Sequence, residues 1–554
     1  MADQPYNGGR AVVDALVAHR AGIAFCVPGE SYLPILDALY DVSDKIKLIT
    51  CRHESGASNM AEAYGKLTGQ PGICLVTRGP GATNASIGIH TARQDSTPLI
   101  MLVGQVATHQ IGYEAFQEVD YKKMFAPLAK WVEQVEDVKD IPEVMTRAFH
   151  VALSGRPGPV VIALPEDILN AECPPAKIKP QAPDLAAPKA EDLKNLAALM
   201  RRAEKPLVIL GGSGWSGEAV TGFRDFAERE GLPAGCAFRY QDRIDPRCDN
   251  YVGDIGIGIN PKLAAMVREA DVILALGPRL GEMTTSGYTL LKPPVPEQTL
   301  VHVHSGKQEL GRVYQADLAI HSTPANFVAA LKAVKFGKKD DWAGWLQSAR
   351  KDYLKWSEPT QNPGRVQVAE IYRYFRETLP DDTIFTNGAG NYTAWLHRFY
   401  HYRALGTQVA PTSGAMGYGV PAAIAAKLVH PERIVISCSG DGCFLMTGQE
   451  LATAVQYNVP VIFLVFNNSM YGTIRMHQEK QFPGRVSGTD LENPNFMELA
   501  KAFGLDGYFA DSNQGFEAAF EVALEKGGPA LIEIIVDREA ISPAATLSDL
   551  KKRV

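Results

Sequence analysis

The sequence predicts an α/β protein with three consecutive parallel-sheet domains, and three observations lead to that prediction. The chain has 554 residues, which at about 150 residues per domain is more than one core organises. Hydrophobic residues make up 46% and charged residues 21%, as in ordinary globular proteins. Short apolar runs alternate with helical patterns in three separate blocks, which is typical of strands in parallel sheets.

The first block predicts a domain over residues 1–170. Its strand-like runs are IAFCVPG, IKLITC, GICLVTRGPG, PLIMLVGQV and PGPVVIALP. The stretch CPPAKIKPQAPDLAAP, from Cys173 to Pro188, is rich in Pro and Ala and has almost no large apolar residue. Such a composition predicts an extended linker after the first domain.

The second and third blocks predict domains over residues 189–336 and 365–545. The strand-like runs KPLVILGG, DVILALG and TLVHVH belong to the second block, and TIFTNGAG, RIVISCSGDG, VPVIFLVFNN and PALIEIIVD to the third. Between them, residues 337–365 are polar and helical and are then interrupted by Pro and Gly. We therefore expect a connector between these two domains.

Charge and hydropathy exclude several classes of protein. Lys and Arg number 55 against 62 Asp and Glu, a net charge of −7 without long single-sign runs, so nucleic acid is not an expected partner. The longest apolar runs, such as VPVIFLVF, are too short to span a bilayer. The N-terminus lacks a secretory pattern. We expect a cytoplasmic protein without membrane attachment, whose eight scattered cysteines are free buried thiols.

The strongest functional signal lies in the third block. A strand leads into Gly440, Asp441 and Gly442, and the next strand ends at Asn467 and Asn468. One strand–helix–strand unit takes about 30 residues, so Asp441 and Asn468 should emerge together at the carboxyl edge of the sheet, where such sheets bind ligands. Oxygen ligands with few charges suit Mg²⁺ better than zinc, and the glycines let backbone N–H groups approach a phosphate. A GDG alone is more often an ordinary turn.

GDGCFLMTGQELATAVQYNVPVIFLVFNN resembles the diphosphate motif of the thiamine-diphosphate enzymes, and the resemblance covers the whole chain, nearest to the acetolactate-synthase-like branch. It implies that Asp441, the Asn468 side chain and the backbone oxygen of Met470 hold Mg²⁺. It also implies further cofactor contacts, which are Gly440, Gly442, Cys443 and Met470 around this motif, and Gly390, Asn391 and Tyr392 in TNGAGNYTAWLHRFY.

Two more segments resemble the family's pyrimidine site. In GAMGYGVPAAIAA, Met416 matches the apolar wedge between the two cofactor rings, and the Gly414 carbonyl would accept from the 4′-amino group. A core methionine is the plainer interpretation of Met416. In HESGASNMAEAYGKLTG, Glu54 matches the catalytic glutamate that hydrogen-bonds N1′ of the cofactor and favours its imino form. The alternative is a carboxylate that stabilises a helix N-terminus.

The first block also resembles the family around its reaction centre. Phe116 and Gln117 in EAFQEVD match positions that face the substrate in acetolactate synthases. The alternative is a buried aromatic residue beside a surface amide. Glu30 in VPGESYLPILDAL stands where those synthases have glycine and simple pyruvate decarboxylases have an acidic residue. Glu30 is therefore a candidate to touch the reacting carbon, or else a helix-start carboxylate.

A second departure lies in GPRLGEMTT, where the synthases have an Arg-Phe-Asp-Asp-Arg run. Arg279 matches the first arginine, but Met283 replaces the second, which helps to hold the acceptor's carboxylate. Both pyruvate as acceptor and a bound FAD are therefore left open. The resemblance implies a carboligase acting on a 2-oxo acid or aldehyde, as a homodimer or homotetramer. The alternatives are a simple 2-oxo-acid decarboxylase or 2-hydroxyacyl lyase, a flavin-dependent oxidase and a non-catalytic paralogue.

Overall fold

The computed structural model describes residues 6–551, which fold into two compact units. Of the described residues, the first unit comprises 6–184 together with Val420–Pro431 and Thr447–Val459. The second comprises Leu185–Gly419, Glu432–Met446 and residues 460–551. Two short segments of the C-terminal third therefore belong to the first unit, which the alternation of strands and helices did not indicate. The three domain boundaries themselves stay a prediction.

Within residues 6–551 the strands form three six-stranded sheets. In chain order they are β1 Ile23–Cys26, β2 Lys47–Thr50, β3 Gly72–Val76, β4 Leu99–Gln105, β5 Trp131–Gln134, β6 Pro159–Pro165, β7 Pro206–Leu210, β8 Ala234–Ala237, β9 Tyr251–Ile255, β10 Val272–Leu276, β11 Thr299–His304, β12 Leu318–His321, β13 Ile384–Asn387, β14 Gln408–Val409, β15 Val435–Gly440, β16 Ile462–Asn467, β17 Asp506–Ala510 and β18 Ala530–Ile535.

Helices connect most of the strands in the described chain. In chain order they are α1 Gly8–Ala18, α2 Leu33–Tyr40, α3 Glu54–Thr68, α4 Pro80–Asp95, α5 Tyr121–Phe125, α6 Ile141–Leu153, α7 Glu166–Asn170, α8 Ala190–Arg202, α9 Gly217–Glu230, α10 Pro261–Glu269, α11 Pro324–Leu331, α12 Lys339–Trp356, α13 Val368–Thr378, α14 Tyr392–Phe399, α15 Gly419–Val429, α16 Asp441–Phe444, α17 Leu451–Gln456, α18 Gly472–Gln481, α19 Phe496–Phe503, α20 Asn513–Lys526 and α21 Leu547–Lys551.

All three sheets are parallel, with strand orders β2-β1-β3-β4-β6-β5, β12-β11-β10-β7-β8-β9 and β14-β13-β15-β16-β18-β17. In chain order, successive strands reverse their direction across the sheet once in the middle sheet and twice in the first and third sheets, as doubly wound sheets do at a switch point. Central strands such as β4 and β6 are buried at every position, which explains their continuous apolar sequence. The predicted fold class, three consecutive α/β sheets, is confirmed.

The two predicted connectors have different structures. Residues 174–189 form no regular element and are mostly exposed, so the predicted linker is confirmed. In the second connector, residues 339–356 form the helix α12, and this helix is tied to the middle sheet. Trp342 is buried and donates its indole N–H to the Ala203 carbonyl at 2.9 Å, and Trp345 donates to the Pro206 carbonyl at 3.0 Å.

Two expectations on composition are testable in the described part of the chain. The eight cysteines are all free thiols, and all except Cys173 are buried. Across residues 6–551, every helix is either too short or too polar to cross a bilayer.

Candidate active site

The first group of predicted site residues lies at the carboxyl ends of β15 and β16. These strands are parallel neighbours, with Gly440 in register with Phe466. The chain therefore leaves the sheet at Asp441 and at Asn467 side by side, as the spacing of the two motifs predicted. Asp441 begins the short helix α16, and the loop after β16 leads into α18.

Asp441 is buried and hydrogen-bonded on both carboxylate oxygens. Its Oδ1 accepts from the Gly442 N–H at 2.9 Å, and its Oδ2 accepts from Nδ2 of Asn493 at 2.8 Å. Burial raises the pKa of Asp441, and these hydrogen bonds act in the opposite direction. The sequence prediction did not include Asn493, because it lies 52 residues beyond Asp441 in a loop without regular structure.

The two asparagines after β16 have different surroundings. Asn467 donates through Nδ2 to Glu533 at 2.7 Å, and its Oδ1 accepts from Asn493 at 3.0 Å. Its amide is thus engaged in joining β16 to β18 and to the Asn493 loop. Asn468 lines the adjoining cavity instead, together with Met470. That the second asparagine faces a ligand stays a prediction.

We call this cavity, of about 270 Å³, the Asp441 cleft. It brings together every cofactor and metal residue predicted in the third block. Those residues are Gly390, Asn391, Tyr392, Gly414, Met416, Gly440, Asp441, Gly442, Cys443, Asn468 and Met470.

One wall of the Asp441 cleft is packed so closely that only glycine fits at position 442. A Cβ atom at Gly442 would lie 2.5 Å from Cε1 of Tyr471, so a side chain at this position would displace the tyrosine ring. Carboxylate, amide and backbone oxygens are available at Asp441, Asn468 and Met470. Hard oxygen donors of this kind suit Mg²⁺, and the cleft therefore fits a metal-bound diphosphate.

Asn391 and Tyr392 hold the cleft together through their side chains. Asn391 donates to the Ile541 carbonyl at 2.8 Å and accepts from the Thr473 hydroxyl at 2.8 Å. The Tyr392 hydroxyl accepts from the Gly388 N–H at 3.1 Å and contacts Sγ of Cys443 at 3.5 Å. Burial raises the pKa of the Tyr392 phenol. These polar groups are already engaged within the protein, which gives the cleft rigid walls.

The second group of predicted residues lies in the first unit, and Glu54 is its buried member. Glu54 is the first residue of α3, so the interpretation as a helix-start carboxylate also describes its position. Its Oε2 accepts from Nδ2 of Asn84, on α4, at 3.0 Å. Within residues 6–551 the structure gives its Oε1 no hydrogen bond. Asn84 thus orients the carboxylate and leaves one oxygen available to a ligand.

A second carboxylate, Glu450, fixes the turn that precedes Glu54. Glu450 is fully buried, and its Oε1 accepts from the backbone N–H groups of Arg52 at 3.1 Å and His53 at 3.0 Å. Its Oε2 accepts from the Thr453 hydroxyl at 2.6 Å. Burial raises the pKa of Glu450, and these hydrogen bonds oppose that shift. The pattern TGQELATA predicted only a helix here, so the role of Glu450 was missed.

Glu30 and Phe116 meet at a buried arginine. The Arg78 guanidinium donates to Oε1 of Glu30 at 2.9 Å and to the Phe116 carbonyl at 3.3 Å, and lies 3.6 Å from Glu166. We call these four residues the Arg78 cluster. The Phe116 ring is 74% exposed in the single chain, so the alternative of a buried aromatic residue is wrong. Arg78 lies in the run GICLVTRGPG, and the sequence patterns predicted no role for it.

Gln117 packs against the start of the same loop. Its backbone is in the left-handed region, with φ of 64°. A Cβ atom at Gly79 would lie 2.8 Å from Cβ of Gln117, and the Gly79 N–H donates to the Tyr121 hydroxyl at 2.8 Å. Only glycine fits at position 79, so the residues after Arg78 are tied to the Phe116–Gln117 turn. The structure therefore places Glu30, Glu54, Phe116 and Gln117 in the first unit, and the Asp441 cleft in the second.

Three models of thiamine pyrophosphate enzyme domains match the chain. Residues 6–124 match the thiamine pyrophosphate enzyme N-terminal TPP binding domain, residues 193–331 its central domain, and residues 388–534 its C-terminal TPP binding domain.

Curated relatives match over nearly the full length. The chain is 33% identical to the mitochondrial acetolactate synthase of Schizosaccharomyces pombe, with 97% of this chain and 84% of the relative covered. It is 30% identical to the acetolactate synthase isozyme 2 large subunit of Escherichia coli, with 99% and 100% covered. A probable acetolactate synthase large subunit of Methanocaldococcus jannaschii is 32% identical, with 96% and 92% covered. The chain therefore belongs to the thiamine pyrophosphate enzymes and is an enzyme of their acetolactate-synthase-like branch.

Proposed function

We propose that the protein is a thiamine-diphosphate- and Mg²⁺-dependent carboligase of 2-oxo acids. It would remove CO₂ from pyruvate or a similar acid and join the remaining acyl fragment to a second carbonyl compound. The observation that supports this proposal best is the convergence of the predicted diphosphate and metal residues on the Asp441 cleft. The acetolactate synthases among the relatives support the 2-oxo acid as donor.

In this proposal the second unit binds the cofactor. Asp441, the side-chain oxygen of Asn468 and the backbone oxygen of Met470 would hold Mg²⁺, and the backbone at Gly440 and Gly442 would approach the diphosphate. When bound, thiamine diphosphate supplies the nucleophilic carbon and the electron sink for decarboxylation. The engaged side chains of Asn391 and Tyr392 keep the cleft walls in place.

Glu54 would hold the proton that activates the cofactor. A carboxyl group whose Oε1 donates to a ring nitrogen favours the tautomer needed for proton removal at the reacting carbon. The Asn84 amide restrains Oε2, and Glu450 restrains the backbone before Glu54. Glu54 is consequently oriented before any ligand binds, which lowers the cost of reaching the reactive geometry.

We further propose a homodimer as the smallest active assembly, with the tetramer as an alternative. The large exposed fractions of Phe116 and of the Glu30 side chain, 74% and 68%, support a face that another surface covers. In this assembly Glu54 would serve the cofactor held by the partner subunit. Light scattering after size exclusion measures the assembly, and a catalytically active monomer would contradict it.

The activity is tested by incubating the protein with thiamine diphosphate, Mg²⁺ and pyruvate and identifying the products by mass spectrometry. We expect CO₂ release that depends on both additions, and a product in which two carbonyl fragments are joined. A parallel sample treated with a chelator and gel-filtered provides the control. Absence of CO₂ release from pyruvate and from larger 2-oxo acids would contradict the proposal.

Glu30 favours a second candidate function, simple decarboxylation. An acidic group at the reacting carbon can supply the proton that releases an aldehyde, and Glu30 is held in place by Arg78. Free acetaldehyde as the main product from pyruvate would support this candidate. A flavin-dependent oxidase is distinguished by a yellow purified protein with flavin absorbance.

A further inference from the structure

In the Arg78 cluster, an exposed carboxylate is bound by a buried guanidinium. The Arg78 side chain is 10% exposed, whereas the Glu30 side chain that it binds is 68% exposed. Glu30 is therefore anchored from beneath while its carboxylate remains at the surface of the first unit. Because the guanidinium also binds the Phe116 carbonyl at 3.3 Å, it connects the Glu30 carboxylate to the backbone of the exposed residue Phe116.

The cluster has an excess of negative charge. One guanidinium faces two carboxylates, those of Glu30 at 2.9 Å and Glu166 at 3.6 Å. The 2.9 Å contact places the positive charge of Arg78 against the buried side of the Glu30 carboxylate. The exposed side of this carboxylate is not neutralised by that contact. The surface is therefore negative, and after the donor has lost its own carboxylate as CO₂ this charge disfavours an acceptor that carries a carboxylate.

The Arg78 cluster is continuous with the segment that orients Glu54. Arg78 lies two residues before α4, and α4 contributes Asn84, which binds the Glu54 carboxylate at 3.0 Å. Gly79, between them, packs against Gln117. One short stretch, residues 78–84, thus supports Glu30, the Phe116–Gln117 turn and Glu54 together. Glu30 consequently belongs to the surface where substrate would react if Glu54 activates the cofactor.

We propose that Arg78 is a positioning residue that holds the Glu30 carboxylate at the reaction centre, and that the resulting charge selects an uncharged aldehyde as acceptor over a second 2-oxo acid. This inference rests on the proposed function. In the reaction, the bond between the pyruvate carbonyl carbon and its carboxylate breaks. A bond from that carbon to the aldehyde carbon forms, and the aldehyde oxygen takes up a proton, so pyruvate, aldehyde and one proton give a 2-hydroxy ketone and CO₂.

The first experiment is a competition between acceptors. The enzyme loaded with thiamine diphosphate and Mg²⁺ receives pyruvate with and without benzaldehyde, and mass spectrometry quantifies acetolactate and the mixed hydroxy ketone. We expect the hydroxy ketone to exceed acetolactate by at least about tenfold at equal acceptor concentrations. Acetolactate as the major product would overturn the inference and leave the proposed function intact. No CO₂ release from any 2-oxo acid would overturn both.

Variants then separate charge from shape. Glu30→Gln removes the negative charge at nearly constant volume, so we expect the acetolactate share to rise by at least about tenfold. Glu133→Gln is the matched control, since it breaks the ion pair with Lys122 elsewhere in the first unit, and it should leave the product ratio unchanged. An unchanged ratio in Glu30→Gln would overturn the inference.

The positioning role of Arg78 has its own measurement. Arg78→Met should raise KM for benzaldehyde while the rate of CO₂ release from pyruvate changes less, and Arg78→Lys should restore part of the affinity. Hydrogen exchange of residues 112–119 gives a readout independent of activity, and it should accelerate in Arg78→Met because the Phe116 carbonyl loses its donor. If Arg78→Met does not fold, the KM and hydrogen-exchange measurements on Arg78→Lys alone test the positioning role. Unchanged exchange and unchanged KM in the variant that folds would exclude the positioning role.

Discussion

The Asp441 cleft and the Arg78 cluster differ in how their side chains are held. In the cleft, Asp441, Asn391 and Tyr392 are hydrogen-bonded within the protein. In the Arg78 cluster, Glu30 and Phe116 project from the surface and depend on a single guanidinium. The cleft holds the residues predicted from the resemblance to the diphosphate motif, whereas Glu30 is the position where the sequence was predicted to depart from the synthase pattern. In our proposals, cofactor binding is therefore fixed by the fold, and acceptor choice depends on a few exposed groups.

The largest effect is expected from Asp441→Ala. The substitution removes the one carboxylate among the proposed metal ligands, so Mg²⁺-dependent retention of thiamine diphosphate should weaken by more than about 100-fold. Isothermal titration of the cofactor with and without Mg²⁺ measures this effect. Asp511→Ala, at an exposed ion pair with Arg365, is the control. Full retention in Asp441→Ala would place the metal elsewhere.

Asn493→Ala should have a smaller effect on the same binding. Asn493 donates to both Asp441 and Asn467, so its loss leaves the metal ligand in place but less well oriented. Loss of such supporting contacts costs about 10–100-fold in metal affinity. The same titration applies, with the exposed neighbour Glu492→Gln as control. An affinity equal to that of the wild type would show that Asn493 does not orient the site.

Glu450→Gln tests the rigidity of the turn before Glu54. A glutamine side chain has one oxygen, so it cannot accept hydrogen bonds both from the backbone N–H groups of Arg52 and His53 and from the Thr453 hydroxyl. The free energy of unfolding should therefore fall by about 1–3 kcal/mol. Burial raises the pKa of Glu450 above 4.5. As pH rises, the folded protein therefore keeps a proton that the unfolded chain has already lost. The wild type consequently becomes less stable as pH rises. The cost of Glu450→Gln should therefore be largest near pH 4.5 and smaller near about pH 7.

Urea unfolding at both pH values measures this cost, and Glu358→Gln at an exposed position is the control. A cost that grows between the acidic and the neutral pH would contradict the assignment, because it would mean that the charged form of Glu450 is the stabilising one.

Phe116→Ala should change stability least. The ring is 74% exposed, so the unfolding free energy should change by less than about 0.5 kcal/mol. The acceptor profile should change nonetheless, since the Phe116 backbone is bound by the same arginine as Glu30. Thermal unfolding and the product assay are run on the same preparation. A large loss of stability with an unchanged acceptor profile would assign Phe116 to the fold instead.

The fold and the Asp441 cleft were largely predictable because local patterns determine them. Apolar runs such as β4 and β6 predict parallel strands, and the crossover spacing between Asp441 and Asn468 places both at one sheet edge. Asn493, Glu450, Arg78 and Asn84 were not predicted. Their contacts join residues that are distant in the sequence, such as Glu450 and His53. The periodicity of a sequence predicts helices and strands, but it does not identify the partner of an individual side chain.

The two-unit division was missed for a related reason. Segments Val420–Pro431 and Thr447–Val459 belong to the first unit, although their sequence continues the alternation of the third block. Helix and strand patterns indicate which elements form but not which neighbours a helix packs against. Glu450 shows the consequence, because its partner residues precede Glu54 in the first block.

The most direct test is the rate of hydrogen–deuterium exchange at the reacting carbon of bound thiamine diphosphate, measured by quenched-flow NMR in the wild type and in Glu54→Gln. We expect Glu54→Gln to bind the cofactor normally and to slow this exchange by about 10²–10⁴-fold. An exchange rate equal to that of the wild type at full occupancy would contradict this expectation.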